Sequence, residues 1–237
     1  MQLFCLPYAG GSAATYRRWT TLLPATIEMY AVELPGRGTR RRANPITDFP
    51  AMVAWVVEEM AHHHRGGPYA VFGHSFGALI AFEAARAARH RLGEPAHLLV
   101  SGRDAPAHPT ARAVHAALSD DELASAVASF GGLPPELDVY PALRSRLLGV
   151  LRADLRLLQS YRPPAGDLLD CPVTVFAGSA DPLITPAGQR DWVRTTTGPA
   201  ARVTVPGGHF FLHSAAFGAE LRRCLRATFS SPLTAAA

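Results

Sequence analysis

The sequence predicts an α/β fold with a mostly parallel central sheet that is covered by helices on both faces. Short apolar runs alternate with segments of helical periodicity along most of the chain. Each run is apolar throughout, instead of at every second residue, and such runs are typical of parallel strands buried on both faces. The region from Arg103 to Pro164 breaks the alternation, because it contains helical stretches and no strand-like run.

The individual elements follow from this pattern. The predicted strands are residues 2–7, 28–34, 69–75, 97–101, 172–177 and 202–205. Helical spacing covers residues 15–23, 48–63, 78–89, 120–129, 140–151, 152–161 and 214–228, and Asp48 is the expected N-cap of its helix. The Ala-rich tail, residues 230–237, is expected to fray.

The helical region between the fourth and fifth strands is predicted to be an insertion. An insertion there is expected to cover the carboxyl ends of the strands, where folds of this class have their sites. The sequence therefore predicts an α/β core of residues 1–103 and 166–237 and a helical lid of residues 104–165. By periodicity its apolar residues are core residues, and some are candidates to line a pocket: Leu118, Leu123, Val127 and Phe130.

Composition excludes several classes of function. No apolar run is long enough to span a membrane and the N-terminus lacks a signal-peptide pattern, which predicts a cytoplasmic protein with no membrane partner. All 23 basic residues are Arg, and they are mostly scattered, so nucleic-acid binding is not expected. The three cysteines have no metal-like spacing, and no phosphate loop, dinucleotide fingerprint or zinc motif is present. No cofactor, metal or disulfide is expected, and no repeat or heptad suggests anything beyond a monomer.

The pattern G-x-S-x-G occurs once where an apolar strand meets a helix, in Gly73-His74-Ser75-Phe76-Gly77. A strand, a tight Gly-flanked turn bearing Ser, and a helix form the context of a nucleophile elbow, which is typical of α/β hydrolases. The Ser backbone is strained in such a turn, so Gly73 and Gly77 are expected to be needed for their small size. Ser75 is therefore the predicted nucleophile.

A Ser nucleophile needs a base and an orienting acid, which follow it in this fold in the order acid, then His. His209 is the predicted base, because it lies in a Gly-rich loop between the last strand and the last helix. Asp181 is the preferred acid, since it follows the strand before the one that leads to His209. Asp104 follows the preceding strand and remains open as the alternative.

Other histidines are weaker candidates for the base. They are His213, His108, His115 and the consecutive His62, His63 and His64, which point in different directions on a helix and so do not suit a shared metal. The oxyanion hole is predicted to combine the Phe76 N–H with one N–H from the Gly-rich loop after the first strand. Ala9 is the preferred residue there, and Gly10 is the alternative.

With these residues in hand, the chain resembles the type II thioesterases, the stand-alone editing enzymes of polyketide and nonribosomal peptide synthesis. The resemblance spans nearly the whole chain through LPYAGGS at residues 6–12, LPGRG at 34–38, GHSFGA at 73–78, SGR at 101–103, LRAD at 151–154 with Tyr161, and PGGHFF at 206–211. It implies a Ser-Asp-His hydrolase of acyl groups held as thioesters on the phosphopantetheine arm of acyl or peptidyl carrier domains. Ser75, Asp181 and His209 occupy the matching positions.

The chain departs from the family pattern at two positions. Phe76 stands where the family usually has Met. This difference is expected to change the pocket wall while keeping the backbone donor. Gln159 stands near the position where the family pattern has an acidic residue.

Arg37 and the run Arg40-Arg41-Arg42 are either a solvated loop or a contact for an acidic carrier domain. The same fold and triad would also serve a general carboxylester hydrolase or a product-releasing thioesterase.

Overall fold

The computed structural model describes residues 1–108, 114–133, 137, 139–163 and 166–230. In these residues six parallel strands form one sheet in the order β2-β1-β3-β4-β5-β6. The strands are β1 (Gln2–Leu6), β2 (Glu28–Ala31), β3 (Tyr69–His74), β4 (His97–Ser101), β5 (Val173–Gly178) and β6 (Ala200–Val205). The predicted parallel sheet is confirmed.

Helices cover both faces of this sheet. The α-helices are α1 (Phe49–His63), α2 (Phe76–Leu92), α3 (Asp120–Ala128), α4 (Pro141–Ser160), α5 (Pro186–Arg190) and α6 (Ala215–Ser230). Short 3₁₀ helices occupy Ala13–Thr21, Gly38–Arg40, Asp191–Thr195 and Phe211–His213. The Asp48 carboxylate accepts a hydrogen bond from Ala51 N at 2.8 Å, which confirms the predicted N-cap of α1.

Successive strand residues belong to different cores, which explains the uninterrupted apolar runs. Phe4 and Leu6 of β1 pack with α1 and α2 on one face. Leu3 and Cys5 pack on the other face with the first 3₁₀ helix and α6. Each strand is therefore buried on both sides, as the sequence pattern indicates. All three cysteines are buried free thiols.

Several predicted boundaries were wrong. The segment predicted as a helix over residues 15–23 is the 3₁₀ helix Ala13–Thr21, and β2 ends at Ala31, three residues before the predicted end. The two helices predicted over residues 140–161 are one helix, α4, in which Gly149 is tolerated with no atom within 4 Å of its missing side chain. Helix α5 was missed, although Thr185 caps it by accepting from Gly188 N.

Helices α3 and α4 pack on each other through an apolar cluster of their own, which includes Leu123, Leu148 and Leu151. A complete capping box of Ser119 and Glu122 begins α3. The limits of the lid, residues 104–165, stay a prediction. Apart from residue 230, the tail predicted to fray lies outside the described residues. No helix of the described chain is long and apolar enough to cross a membrane, and the cytoplasmic location stays a prediction.

Candidate active site

Ser75 lies between β3 and α2 in a strained backbone conformation. Its φ is 55° and its ψ is −115°, and it is the only non-glycine with a positive φ among the described residues. The Ser75 N–H donates to the Ser101 carbonyl at 2.8 Å, so the neighbouring strand β4 holds the turn. This is the geometry that the sequence predicts for a nucleophile elbow.

The two glycines of the elbow are required by close packing. A Cβ on Gly73 would lie 2.0 Å from the Gly77 carbonyl oxygen, and a Cβ on Gly77 would lie 2.3 Å from the Leu6 carbonyl oxygen. These contacts are to backbone, which cannot rotate away. Helix α2 can therefore begin directly against the ends of β1 and β3 only because both positions lack a side chain.

His209 and Asp181 form a buried pair. His209 Nδ1 lies 2.8 Å from Asp181 Oδ2, and the two side chains are 3% and 0% exposed. A carboxylate only accepts hydrogen bonds, so His209 Nδ1 carries the proton and donates it. In the neutral imidazole Nε2 is then the nitrogen without a proton, and this is the form that a general base needs. Leu183 N donates to Asp181 Oδ1 at 2.9 Å and orients the carboxylate.

The loop that carries His209 packs on the end of β5. A Cβ on Gly178 would lie 2.6 Å from the Gly208 carbonyl oxygen, and Ala180 N donates to the Gly207 carbonyl at 2.9 Å. This close approach joins the acid loop to the base loop. It explains why a glycine ends β5 immediately before the acid loop.

Asp104, the alternative acid, is held elsewhere. Its carboxylate accepts hydrogen bonds from Thr185 N, Thr185 Oγ1 and Gln189 Nε2 at 2.9–3.2 Å. It is buried, and a Cβ on Gly188 would lie 2.1 Å from its Cγ. The structure therefore brings His209 together with Asp181, while Asp104 ties the α5 loop to the end of β4.

The other histidines have separate contacts. His108 Nδ1 lies 2.8 Å from Asp191 Oδ2, and His115 lies beside Gln159. His213 is exposed. His63 stacks on Tyr30 with ring centroids 4.0 Å apart, and no group of three potential ligands that could hold a metal is found in the described part of the chain.

The loop after β1 supplies the candidate oxyanion donors. Gly10 N donates to Asp154 Oδ2 at 2.8 Å, so the N–H of the alternative residue is already used within the protein. Among the described residues, no acceptor is bonded to the N–H of Ala9 or of Phe76. Both N–H groups of the predicted pair therefore lack an acceptor among the described residues, and their role as the oxyanion hole stays a prediction.

A cavity of about 540 Å³ contains Ser75, Ala9 and His209. Its walls are mainly apolar and come in large part from α4, through Leu147, Leu151, Leu155 and Leu158. Of the lid residues predicted for core or pocket, Val127 and Phe130 line this cavity. Leu118 and Leu123 instead pack between α3 and α4. Phe130 also meets the His209 ring edge-on, with centroids 5.7 Å apart.

His74, inside the elbow, is a buried histidine that the sequence analysis left unexplained. Its ring centroid is 4.9 Å from that of His209, and its Nδ1 lies 2.9 Å from Ser101 Oγ. Burial lowers the pKa of His74 well below 6.5, and the nearby His209 and His213 add to this effect. His74 is therefore neutral near pH 7 and places no positive charge beside His209.

Of the two positions that depart from the family pattern, Phe76 does not change the pocket wall as expected. The Phe76 ring is fully buried and meets Phe49 edge-on at 6.3 Å in the core below α1, and it does not line the described cavity. The ring therefore packs in the core and not in the pocket wall. Gln159, in contrast, lines the cavity and its Nε2 lies 3.2 Å from His115 Nδ1.

The expected solvated or carrier-contacting Arg loop divides into two parts. Arg37 is 5% exposed and forms an ion pair with Asp154, so it is neither solvated nor available to a partner. Arg40 pairs with Glu59 at 2.7 Å, and its guanidinium lies over the Trp55 ring. Arg41 and Arg42 are exposed. The Arg37–Asp154 pair was missed, although both residues belong to motifs, LPGRG and LRAD, that the sequence singles out.

The fold, the strained serine and the buried His–Asp pair define the class of the protein, an α/β hydrolase. The Thioesterase domain family matches residues 1–227, and the chain belongs to this family. Gramicidin S biosynthesis protein GrsT of Aneurinibacillus migulanus is 36% identical over 218 residues, which are 92% of this chain and 85% of that protein.

Solved structures agree with this assignment. RedJ, the thioesterase from the prodiginine biosynthetic pathway in Streptomyces coelicolor, is 38% identical, with a TM-score of 0.87 over 96% of this chain and 85% of that chain. BorB, the type II thioesterase from the borrelidin biosynthetic cluster, is 35% identical, with a TM-score of 0.83 over 95% of this chain and 92% of that chain. The α/β-hydrolase fold and the resemblance to type II thioesterases are both confirmed, and the chain is an enzyme of acyl-thioester hydrolysis.

Proposed function

We propose that this enzyme removes acyl groups from the phosphopantetheine arm of acyl or peptidyl carrier domains and that it edits stalled or aberrant groups in polyketide or nonribosomal peptide synthesis. The observation that carries the catalytic part is the His209–Asp181 pair at 2.8 Å, whose histidine lines the same mainly apolar cavity as the strained Ser75. The pathway context is supported by GrsT, RedJ and BorB.

In the proposed reaction Ser75 Oγ attacks the thioester carbonyl carbon while His209 Nε2 takes the hydroxyl proton. The negative charge that develops on the carbonyl oxygen is stabilised by the N–H groups of Ala9 and Phe76. Asp181 stabilises the imidazolium and keeps the proton on Nδ1. When the tetrahedral intermediate collapses, the carbon–sulfur bond breaks and His209 returns the proton to the leaving thiolate.

The second half of the reaction repeats this chemistry with water. His209 Nε2 takes a proton from a water molecule as its oxygen attacks the acyl-Ser75 ester. The same two N–H groups hold the second oxyanion, and the carbon–oxygen bond to Ser75 then breaks. Ser75 regains its proton from His209, and the acyl group leaves as a free carboxylic acid.

The cavity suits an acyl group better than a polar substrate. Its volume lies within the ordinary range for small-molecule sites, and the wall formed by α4 is aliphatic. A half-buried charged group, Arg103, is also present at the wall, and desolvation lowers the pKa of its guanidinium. We propose that residues 104–165 form a lid under which the arm enters, and that the enzyme acts as a monomer on small acyl groups.

The test is intact-protein mass spectrometry of carrier domains loaded with short acyl groups. Wild type is expected to remove the acyl mass, Ser75→Ala to leave it, and the exposed-serine control Ser145→Ala to behave as wild type. Removal by Ser75→Ala at the wild-type rate would refute the assigned nucleophile. If wild type leaves the carrier acylated but cleaves an oxygen ester of the same chain length, a general carboxylester hydrolase is the better description.

A further inference from the structure

A buried ion pair connects helix α4 to the loop after β2. Arg37 contacts Asp154 through two nitrogen–oxygen pairs, at 2.5 and 2.6 Å, and the two side chains are 6% and 1% exposed. Two parallel hydrogen bonds of this kind fix both the distance and the relative orientation of the groups. The pair lies outside the catalytic triad, and the proposed reaction as written above does not use it.

The same pair also holds the loop that carries the candidate oxyanion donor. Asp154 Oδ2 accepts from Gly10 N at 2.8 Å, and Arg37 Nη1 donates to the Gly11 carbonyl at 3.2 Å. The ion pair thus binds the N–H of one loop residue and the carbonyl of the next. Gly10 has a φ of 76°, a conformation that L side chains rarely adopt, so the peptide before it is turned in a defined direction.

Packing adds a second contact between α4 and this loop. A Cβ on Gly10 would lie 3.2 Å from the Cβ of Leu151, which is one turn before Asp154 on the same helix. Leu151 also lines the catalytic cavity. Any shift of α4 along or away from the loop therefore moves both a hydrogen-bond acceptor and a packing surface of the Gly10 peptide.

A buried ion pair is weak support for stability alone. Removing two charges from water is costly, and apolar residues of similar volume often replace such pairs without loss of stability. If the pair only stabilised the fold, Gly10 N would not need a charged acceptor. A charged acceptor is expected if the pair orients the loop, because Asp154 and Arg37 together set the direction of the Ala9–Gly10 peptide and, with it, of the adjoining Ala9 N–H.

We propose that Asp154 and Arg37 are positioning residues that hold the Ala9 N–H in the oxyanion hole, and that they make the formation of this hole depend on the position of α4. The inference rests on the proposed function, since it assigns the Ala9 N–H to the oxyanion. Neither side chain touches the reacting atoms. Their contribution passes through the backbone of the Gly10 loop, so it is greatest in the tetrahedral state and small in the substrate complex.

The test compares Asp154→Ala, Asp154→Asn and the control Asp121→Ala. Asp121 also pairs with an Arg of α4, Arg144, but its side chain is 91% exposed and lies away from the Gly10 loop. For each protein, kcat and KM are measured on an acyl thioester and on a p-nitrophenyl ester of the same acyl group. The affinity for an alkyl boronic acid is also measured, because its adduct with Ser75 carries an oxygen in the oxyanion hole.

For Asp154→Ala we expect kcat to fall by about 100-fold on both substrates, because displacing one oxyanion donor has an effect of this order. KM should change less than threefold, and boronic-acid affinity should fall by the same factor as kcat. Asp154→Asn keeps an oxygen for Gly10 N and loses the charge, so it should lie between Asp154→Ala and wild type. Asp121→Ala should match wild type.

Wild-type kcat and boronic-acid affinity in a folded Asp154→Ala protein would overturn the proposal, whatever its loss of thermal stability. A decrease in kcat/KM that comes only from a higher KM, with kcat unchanged, would also overturn it. A distorted oxyanion hole acts on the transition state and therefore lowers kcat. If Asp154→Ala does not fold, the same measurements on Asp154→Asn decide whether the proposal holds. Absence of thioester hydrolysis by wild type would contradict the proposed function, whereas the ester and boronic-acid comparisons would still test the positioning role.

Discussion

Replacing Asp181 with Asn removes the negative charge that faces His209 and leaves the shape of the site nearly unchanged. The two side chains are 2.8 Å apart and almost fully buried, so solvent screens their interaction little. At an effective dielectric constant of about 20, unit charges at this distance attract by about 6 kcal/mol. This attraction exists only when the imidazole is protonated, so it belongs to the transition state.

A loss of about 6 kcal/mol corresponds to a rate decrease of about four powers of ten, at about 1.4 kcal/mol for each tenfold change. The Asn amide adds a second effect, since its NH₂ group favours a proton on the wrong imidazole nitrogen. We expect kcat of Asp181→Asn to fall about 10,000-fold, the effect that this change has in a serine protease with a Ser-His-Asp triad, with little change in thermal stability.

The assay is pre-steady-state acylation of Ser75 by a p-nitrophenyl ester, followed by turnover of an acyl-carrier thioester. Asp104→Asn is the matched control, because it changes a buried carboxylate of the same loop cluster that contacts Thr185 and Gln189. It should lose about 1–3 kcal/mol of stability and keep kcat within tenfold. Near-wild-type acylation by Asp181→Asn, together with a thousandfold loss in Asp104→Asn, would refute the assignment of the acid.

Three further predictions concern the stability of the fold. Gly77→Ala should destabilise the protein by about 1–3 kcal/mol or more in urea unfolding, because its Cβ would lie 2.3 Å from a backbone oxygen of β1. Tyr161→Phe should cost about 1–3 kcal/mol by the same measurement, since it leaves the buried Glu83 carboxylate without its 2.6 Å hydrogen bond. Burial lowers the pKa of His97 to about 4, so the unfolded chain binds more protons between pH 6.5 and 4. The free energy of unfolding should therefore decrease as the pH falls through this window. In His97→Asn this decrease should be about 3 kcal/mol smaller than in wild type.

Each of these three predictions has a control variant or an outcome that would contradict it. Gly67→Ala, with no atom within 4 Å of the new Cβ, should match wild type or exceed it slightly, and equal losses at both glycines would contradict the packing explanation. Unchanged stability of Tyr161→Phe would mean that the Glu83 carboxylate is satisfied by water. For His97, stability curves of wild type and variant that run parallel between pH 4 and 6.5 would show that this group is not the proton acceptor.

Much of the fold follows from local pattern. Continuous apolar runs predict buried parallel strands, and the alternation with helices orders them correctly along the chain. The errors occurred where local signals compete. Residues 15–23 have helical spacing but form the 3₁₀ helix Ala13–Thr21, and the division of α4 into two helices had no breaker to justify it. Helix α5 is too short for periodicity to reveal, although Thr185 and Pro186 form a readable start signal.

By itself, the sequence determined the class of chemistry. A Gly-flanked serine between strand and helix, an acid in chain order and a histidine after the last strand need only local motifs to be recognised. The tertiary structure decided among the alternatives. Asp181 instead of Asp104 faces His209, and Gly10 N is bound by a residue 144 positions away, which favours Ala9 over Gly10 as the proposed oxyanion donor. Local sequence cannot specify these choices, because each depends on which loops from distant parts of the chain meet at one edge of the sheet.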